Sequence, residues 1–137
     1  METERKCRDR VVPALHGRMT DIIPLWDGYK RGVTEAEIEE FLQYGLSFDY
    51  VAPGTFDHQN EGYWRWQIGW GGPSDEFRFY SSGPEFPCYR TEYWFMDWYD
   101  GAMVFPGPDY EPILEEIWEW FKDVGAAEAE YKKALEN

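Results

Sequence analysis

The sequence predicts an α+β fold: an antiparallel β-meander of about five strands packed against a C-terminal helix and N-terminal helices. Hydrophobic periodicity carries most of that expectation, changing from 3.6 to 2 at Leu46 and back to helical spacing after Pro112. Short Gly/Pro turns separate the alternating runs, which favours antiparallel neighbours. The 137 residues fit a single domain, 1–137, with a basic helical segment over 1–31, the sheet over 46–105 and the C-terminal helix over 112–135.

The N-terminal stretch Arg5-Lys6-Cys7-Arg8-Asp9-Arg10 reads as a partly docked helix or an arm laid on an acidic body. The next helix is announced by a capping box, Thr34-Glu35-Ala36-Glu37, in which Thr34 and Glu37 exchange side-chain bonds to each other's amides. Val33 and Ile38 are placed for a hydrophobic staple, Ile38, Phe41 and Leu42 for the inward stripe, and Gly45 for the terminator. Phe48 and Tyr50 open a short strand. In Tyr63–Trp70, alternation puts Trp64, Trp66, Ile68 and Trp70 on one face. Residues 76–80 return antiparallel. A long strand, Tyr89–Tyr99, then leads to Asp100-Gly101, a strong hairpin-turn signal, and Ala102–Phe105 pairs back. Pro112 suits the first turn of the last helix, and Ile113, Ile117, Trp120, Phe121 and Val124 form its apolar face. Gly125 ends or kinks it.

Composition narrows the function. Asp and Glu number 27 against 13 Lys and Arg, a net charge of -14, and 20% of residues are aromatic, eight of them Trp. Disordered acidic tails lack such aromatics, so the chain is a folded domain with a negative exterior. Direct binding to nucleic acid is disfavoured, because phosphate affinity is built from Lys and Arg. No apolar run is long enough for a membrane span, and the polar start, Met1 to Arg10, is unlike a secretory signal. A cytoplasmic setting with two reduced thiols, Cys7 and Cys88, is expected.

Motifs for chemistry are sparse. GxSxG, P-loop, GxGxxG and HExxH patterns are absent. With only His16 and His58 beside the two cysteines, no metal site is expected, nor any cofactor. Pro108-Asp109 followed by Glu130-Tyr131-Lys132 matches a PD…ExK nuclease pattern, but its second half falls in a helical tail. Trp rings beside carboxylates suit carbohydrate binding or hydrolysis. Strict alternation nevertheless makes Trp64, Trp66 and Trp70 core residues, while Trp94 and Trp98 either lie under a second layer or form a binding face.

The acidic residues are unevenly placed. Residues 1–31 carry a net +2 and residues 32–137 a net -16. Glu111, Glu115, Glu119 and Asp123 recur every four residues on the C-terminal helix, with Glu116 beside them, and Glu35, Glu37, Glu39 and Glu40 make a second acidic face. Ordinary solvated faces mix signs; one so one-sided suits a basic partner. These carboxylates, with Glu111, Glu115, Glu116, Glu119, Asp123, Glu35 and Glu39 foremost, are the expected partner-binding residues.

Gly62-Tyr63-Trp64, followed by Gly71-Gly72 and Phe77, is similar to the Gly/aromatic-Trp…Gly-Gly-aromatic segment of ArdB-type antirestriction proteins, one residue off in spacing over about a dozen residues. In size, acidity and aromatic content the chain also resembles anti-CRISPR proteins. The resemblance implies a non-enzymatic inhibitor that blocks a restriction or CRISPR complex, with no catalytic residue. The expected partner is a basic nucleic-acid-binding protein, not nucleic acid or a membrane. An immunity protein against a basic nuclease toxin fits the same features, and a carbohydrate-binding or carboxylate-dependent hydrolytic domain is the alternative of another class.

Overall fold

The computed structural model describes residues 6–136, which leaves Arg5 of the basic run outside the described residues. The elements follow in the order α1 (Cys7–Arg31), α2 (Glu35–Leu42), β1 (Ser47–Val51), β2 (Tyr63–Gly69), β3 (Ser74–Ser81), β4 (Cys88–Asp97), β5 (Asp100–Val104), α3 (Glu111–Asp123) and α4 (Ala126–Leu135). The strands form one antiparallel sheet in sequence order, β1-β2-β3-β4-β5. The expected five-strand α+β meander is therefore the fold.

Pleating divides the sheet cleanly. Trp64, Trp66, Phe77, Phe79, Tyr93 and Phe95 face the helices and join Leu114, Ile117, Trp118 and Phe121 in an aromatic core. Indole N–H groups inside it are satisfied by backbone: Trp64 donates to the Ala127 carbonyl at 2.9 Å and Trp118 to the Phe86 carbonyl at 3.0 Å. On the opposite face a smaller cluster forms from Val51, Tyr63 and Tyr80.

The first helix is more than a partly docked arm. Cys7, Val11, Leu15, Met19, Ile22 and Trp26 are all buried, a stripe at helical spacing that runs its whole length. Lys6 supplies no side-chain cap, and the Asp100 carboxylate takes the Cys7 amide instead, at 2.8 Å. From there α1 crosses the sheet, with Arg10 on Asp97 at 2.6 Å and Arg18 on Asp75 at 2.7 and 2.9 Å. Pro13 and Pro24 do not break it; both lie on the solvent side.

Several local expectations change. The two-residue connection between β4 and β5 is Trp98-Tyr99, with Asp97 paired to Asp100, not Asp100-Gly101. Trp98 takes the positive φ, 56°, at the position where a type II′ turn needs it. The register shifts between Gln67 and Gly69, so β2 ends before Trp70, which is 76% exposed rather than core. Thr34 does accept from the Glu37 amide at 3.2 Å, but the Glu37 carboxylate turns to the Thr34 hydroxyl and Arg31. Val33 and Leu42 are exposed, leaving no staple and only Phe41 of that helix fully buried. Gly45 is not a left-handed terminator; its α-carbon lies against the Trp66 indole. The C-terminal helix is two, broken at Gly125 (φ 84°). The buried face of α3 is Leu114, Ile117, Trp118 and Phe121, with Val124 exposed.

Candidate functional site

The acidic residues of α3 are placed by the same periodicity that buries its other side. With Leu114, Ile117, Trp118 and Phe121 inward, Glu115, Glu119 and Asp123 are forced outward, each about 6 Å further along the axis. Glu35 and Glu39 are likewise exposed on α2, and Glu40 beside them. The two acidic helices are neighbours: Phe41 of α2 lies 5.3 Å from Trp120 of α3.

The expected site residues are not equivalent. Glu116 accepts from the Trp26 indole and from Lys30, both at 2.9 Å. It fastens α3 to α1, and those bonds, Trp26 first and Lys30 second, hold its carboxyl below the ordinary range. Glu37 is tied to Arg31 at 3.0 Å, and Glu119 to Lys122 at 2.8 Å. Glu111 is half-buried in the first turn of α3, and with Glu115 it borders a small recess against Cys88 and Arg90. Glu115, Asp123, Glu35, Glu39 and Glu40 remain outward, without an ion pair among the described residues. That subset is the candidate contact surface. Glu116 is a structural residue.

Sequence reasoning missed the open face of the sheet. Each of its three central strands carries an outward arginine matched to a carboxylate. Arg65 forks onto Asp49 at 3.0 and 2.7 Å, Arg78 onto Glu76 at 2.7 Å, and Arg90 onto Glu92 and Glu61 at 3.1 Å. Arg78 also lies over the Trp94 and Tyr63 rings, 4.1 and 4.5 Å from their centroids, and Arg90 over Tyr80 at 3.9 Å. Glu76 and Glu92 are buried beneath this layer. A signal existed: Glu76-x-Arg78 and Arg90-x-Glu92 put opposite charges two apart, on the same face of a strand.

The loop between β1 and β2 walls this face. Its own bonds hold it: the Gly54 amide donates to the Gln59 carbonyl at 2.8 Å, and the Gln59 side chain bridges the Phe56 amide and the Glu61 carbonyl. Between loop and strands lies a cleft of about 500 Å3, floored by Tyr63, Arg78, Tyr80, Arg90, Glu92 and Trp94. Trp94 is half-buried under Arg78, while Trp98 stands 86% exposed at the hairpin tip.

Nucleophilic chemistry finds little support. Cys7 bonds beside Asp100, beyond one end of β4, and Cys88 begins the other end, about 30 Å away for a ten-residue strand. Burial pushes both thiols up, with the Asp100 carboxylate adding to the effect at Cys7, so neither is a ready thiolate. His16 bonds the Tyr110 hydroxyl at 2.6 Å. Asp109 lies in the turn before α3, whereas Glu130 and Lys132 lie on α4, where Lys132 pairs with Glu128; the PD…ExK elements do not come from neighbouring strands. Among the described residues, no three His, Cys, Asp or Glu side chains are grouped to hold a metal ion, and no helix is long and apolar enough to cross a membrane. Compared with models of known families, with curated proteins and with solved structures, the chain matches none.

Proposed function

We propose that this protein is a non-enzymatic inhibitor that binds a basic nucleic-acid-handling protein, a restriction or CRISPR complex, through the outward carboxylates of α2 and α3. The observation that carries the reading is where the counter-charges go. Arg10, Arg18, Arg65, Arg78 and Arg90 are consumed by ion pairs on or beside the sheet, and Lys30, Arg31 and Lys122 by surface pairs to Glu116, Glu37 and Glu119. The outer helical surface is left with Glu115, Asp123, Glu35, Glu39 and Glu40 and little to neutralise them. Such a surface steers toward a positive groove and competes there with phosphates. The ArdB-like segment agrees with this reading but supplies no contact residue: Trp64 is core, and Gly71-Gly72 is a turn.

The test is transformation of cells carrying a restriction or CRISPR system with a plasmid bearing its target. Expression of the chain should raise the yield of transformants. Glu115→Lys, Asp123→Lys and Glu39→Lys together should abolish the gain, because these side chains hold nothing inside the fold. Absence of protection, or protection unchanged in the triple variant, would overturn the proposal.

A further inference from the structure

The cleft on the open sheet face has an unbalanced hydrogen-bond ledger. The acceptors that face its floor are taken. Glu92 receives the Tyr80 hydroxyl at 2.9 Å, the Trp94 indole at 2.9 Å and Arg90 at 3.1 Å. Glu61 receives the Tyr89 hydroxyl at 2.9 Å and Arg90 at 3.1 Å. Its donors are not. Tyr63 is 1% exposed and its hydroxyl has no hydrogen-bond partner. Arg78 spends only its Nε on Glu76; Nη1 and Nη2 meet no acceptor among the described residues. Buried polar groups are ordinarily satisfied, and an orphan beside a cleft calls for a missing partner.

We infer that this cleft is a binding site for a small organic monocarboxylate, whose oxygens accept from the Nη groups of Arg78 and from the Tyr63 hydroxyl. On the strand-borne floor the surplus is of donors, with the Asp57 carboxylate standing apart on the loop wall, so a ligand on the floor must supply acceptors. The Nη edge of a guanidinium fits the planar, two-oxygen geometry of a carboxylate. Rings at 4.1 and 4.5 Å and the bond to Glu76 hold the guanidinium in place before any ligand arrives. Asp57, Glu61, Glu76 and Glu92 outnumber Arg78 and Arg90 around the cleft, which disfavours a dianion such as phosphate more than a monoanion. Phe56, 51% exposed on the cleft wall, offers an apolar surface for the ligand's body. The volume lies within the range of small-molecule sites. The aromatic faces of Tyr63, Tyr80 and Trp94 are covered by arginines, which argues against a stacked sugar.

The experiment is an NMR titration of the full chain, reading the Trp94 indole and Arg78 Nε signals, with benzoate, benzamide, glucose and inorganic phosphate as probes. Benzoate should give saturable shifts. Benzamide, the neutral isostere, should bind at least tenfold more weakly, since a hydrogen bond to a charged group is worth that factor or more. Tyr63→Phe keeps the packed ring and should weaken benzoate about tenfold; Arg78→Gln should abolish the shifts. No saturable response to benzoate overturns the inference. So does equal binding of benzamide, tighter binding of phosphate or glucose, or benzoate affinity unchanged in Tyr63→Phe.

Discussion

Asp75 is the most heavily committed carboxylate in the fold, and its removal has a calculable cost. It is 4% exposed on the helix-facing side of β3, where it takes Arg18 through both oxygens at 2.7 and 2.9 Å and the Tyr93 hydroxyl at 2.5 Å. Tyr93 is completely buried, and burial together with Asp75 pushes its phenol well up, so it stays a donor. Asp75→Ala would strand that hydroxyl and the Arg18 guanidinium together. Breaking a buried pair by deleting one partner costs about 3–5 kcal/mol. The Arg18 side chain is 33% exposed and recovers some hydration, so the lower end applies, about 3 kcal/mol. For a chain of this length that is a fall in Tm of roughly 10–15 °C. Urea unfolding followed by circular dichroism measures it, with Arg18→Met and the double variant completing a cycle. The two single losses should overlap, giving a coupling of about 2 kcal/mol. A coupling below about 0.5 kcal/mol, the size expected of independent sites, would refute the pairing argument.

Two further perturbations test the packing and the helix clamp. Gly45→Ala places a methyl group against the Trp66 indole; overpacking of about 1–3 kcal/mol should appear as a lower urea midpoint with an unchanged slope. Glu116 has a carboxyl held below its ordinary value of 4.5 by Trp26 and Lys30. Its contribution is therefore present above about pH 4.5 and lost as pH falls through the depressed value. Because its side chain is 52% exposed, Glu116→Gln should cost no more than about 1 kcal/mol at pH 7, and progressively less as the pH falls below 4.5. A stability difference that stays constant across that range would contradict the assignment.

The parts of this fold legible in the sequence are those set by local chemistry. Alternation and Gly/Pro punctuation define a meander of five strands, and the four-residue recurrence of Glu115, Glu119 and Asp123 on an amphipathic helix makes their exposure readable. What was not legible depends on partners remote in the chain. Asp100 looks like a turn residue, yet it caps α1 from 93 residues away, and the turn moves to Trp98-Tyr99 with a positive φ that bulky residues ordinarily avoid. Trp70 continues an unbroken alternation until a register shift at Gln67/Gly69 ends the strand before it. Glu116 reads like its acidic neighbours and differs only because Trp26 and Lys30 reach it from α1. Tyr63 sits on the polar side of its strand and is buried there because Val51 and Tyr80 close around it.

The distribution of carboxylates separates those that build the fold from those that do not. Asp49, Asp75, Glu76, Glu92 and Asp97 each hold an arginine on or beside the sheet, and Asp100 holds the start of α1. Replacing any of these leaves a donor without its acceptor. Glu115 and Asp123, two of the outward residues, hold nothing comparable. Their spacing along one stripe makes each like-charge neighbour unfavourable by about 0.2–0.5 kcal/mol. Asp123 adds a second cost, as an anion in the last turn of α3, where the helix dipole favours a cation. A surface that weakens its own scaffold at several positions is not explained by stability or by helix propensity. The positively charged partner proposed above would turn the same repulsion into attraction.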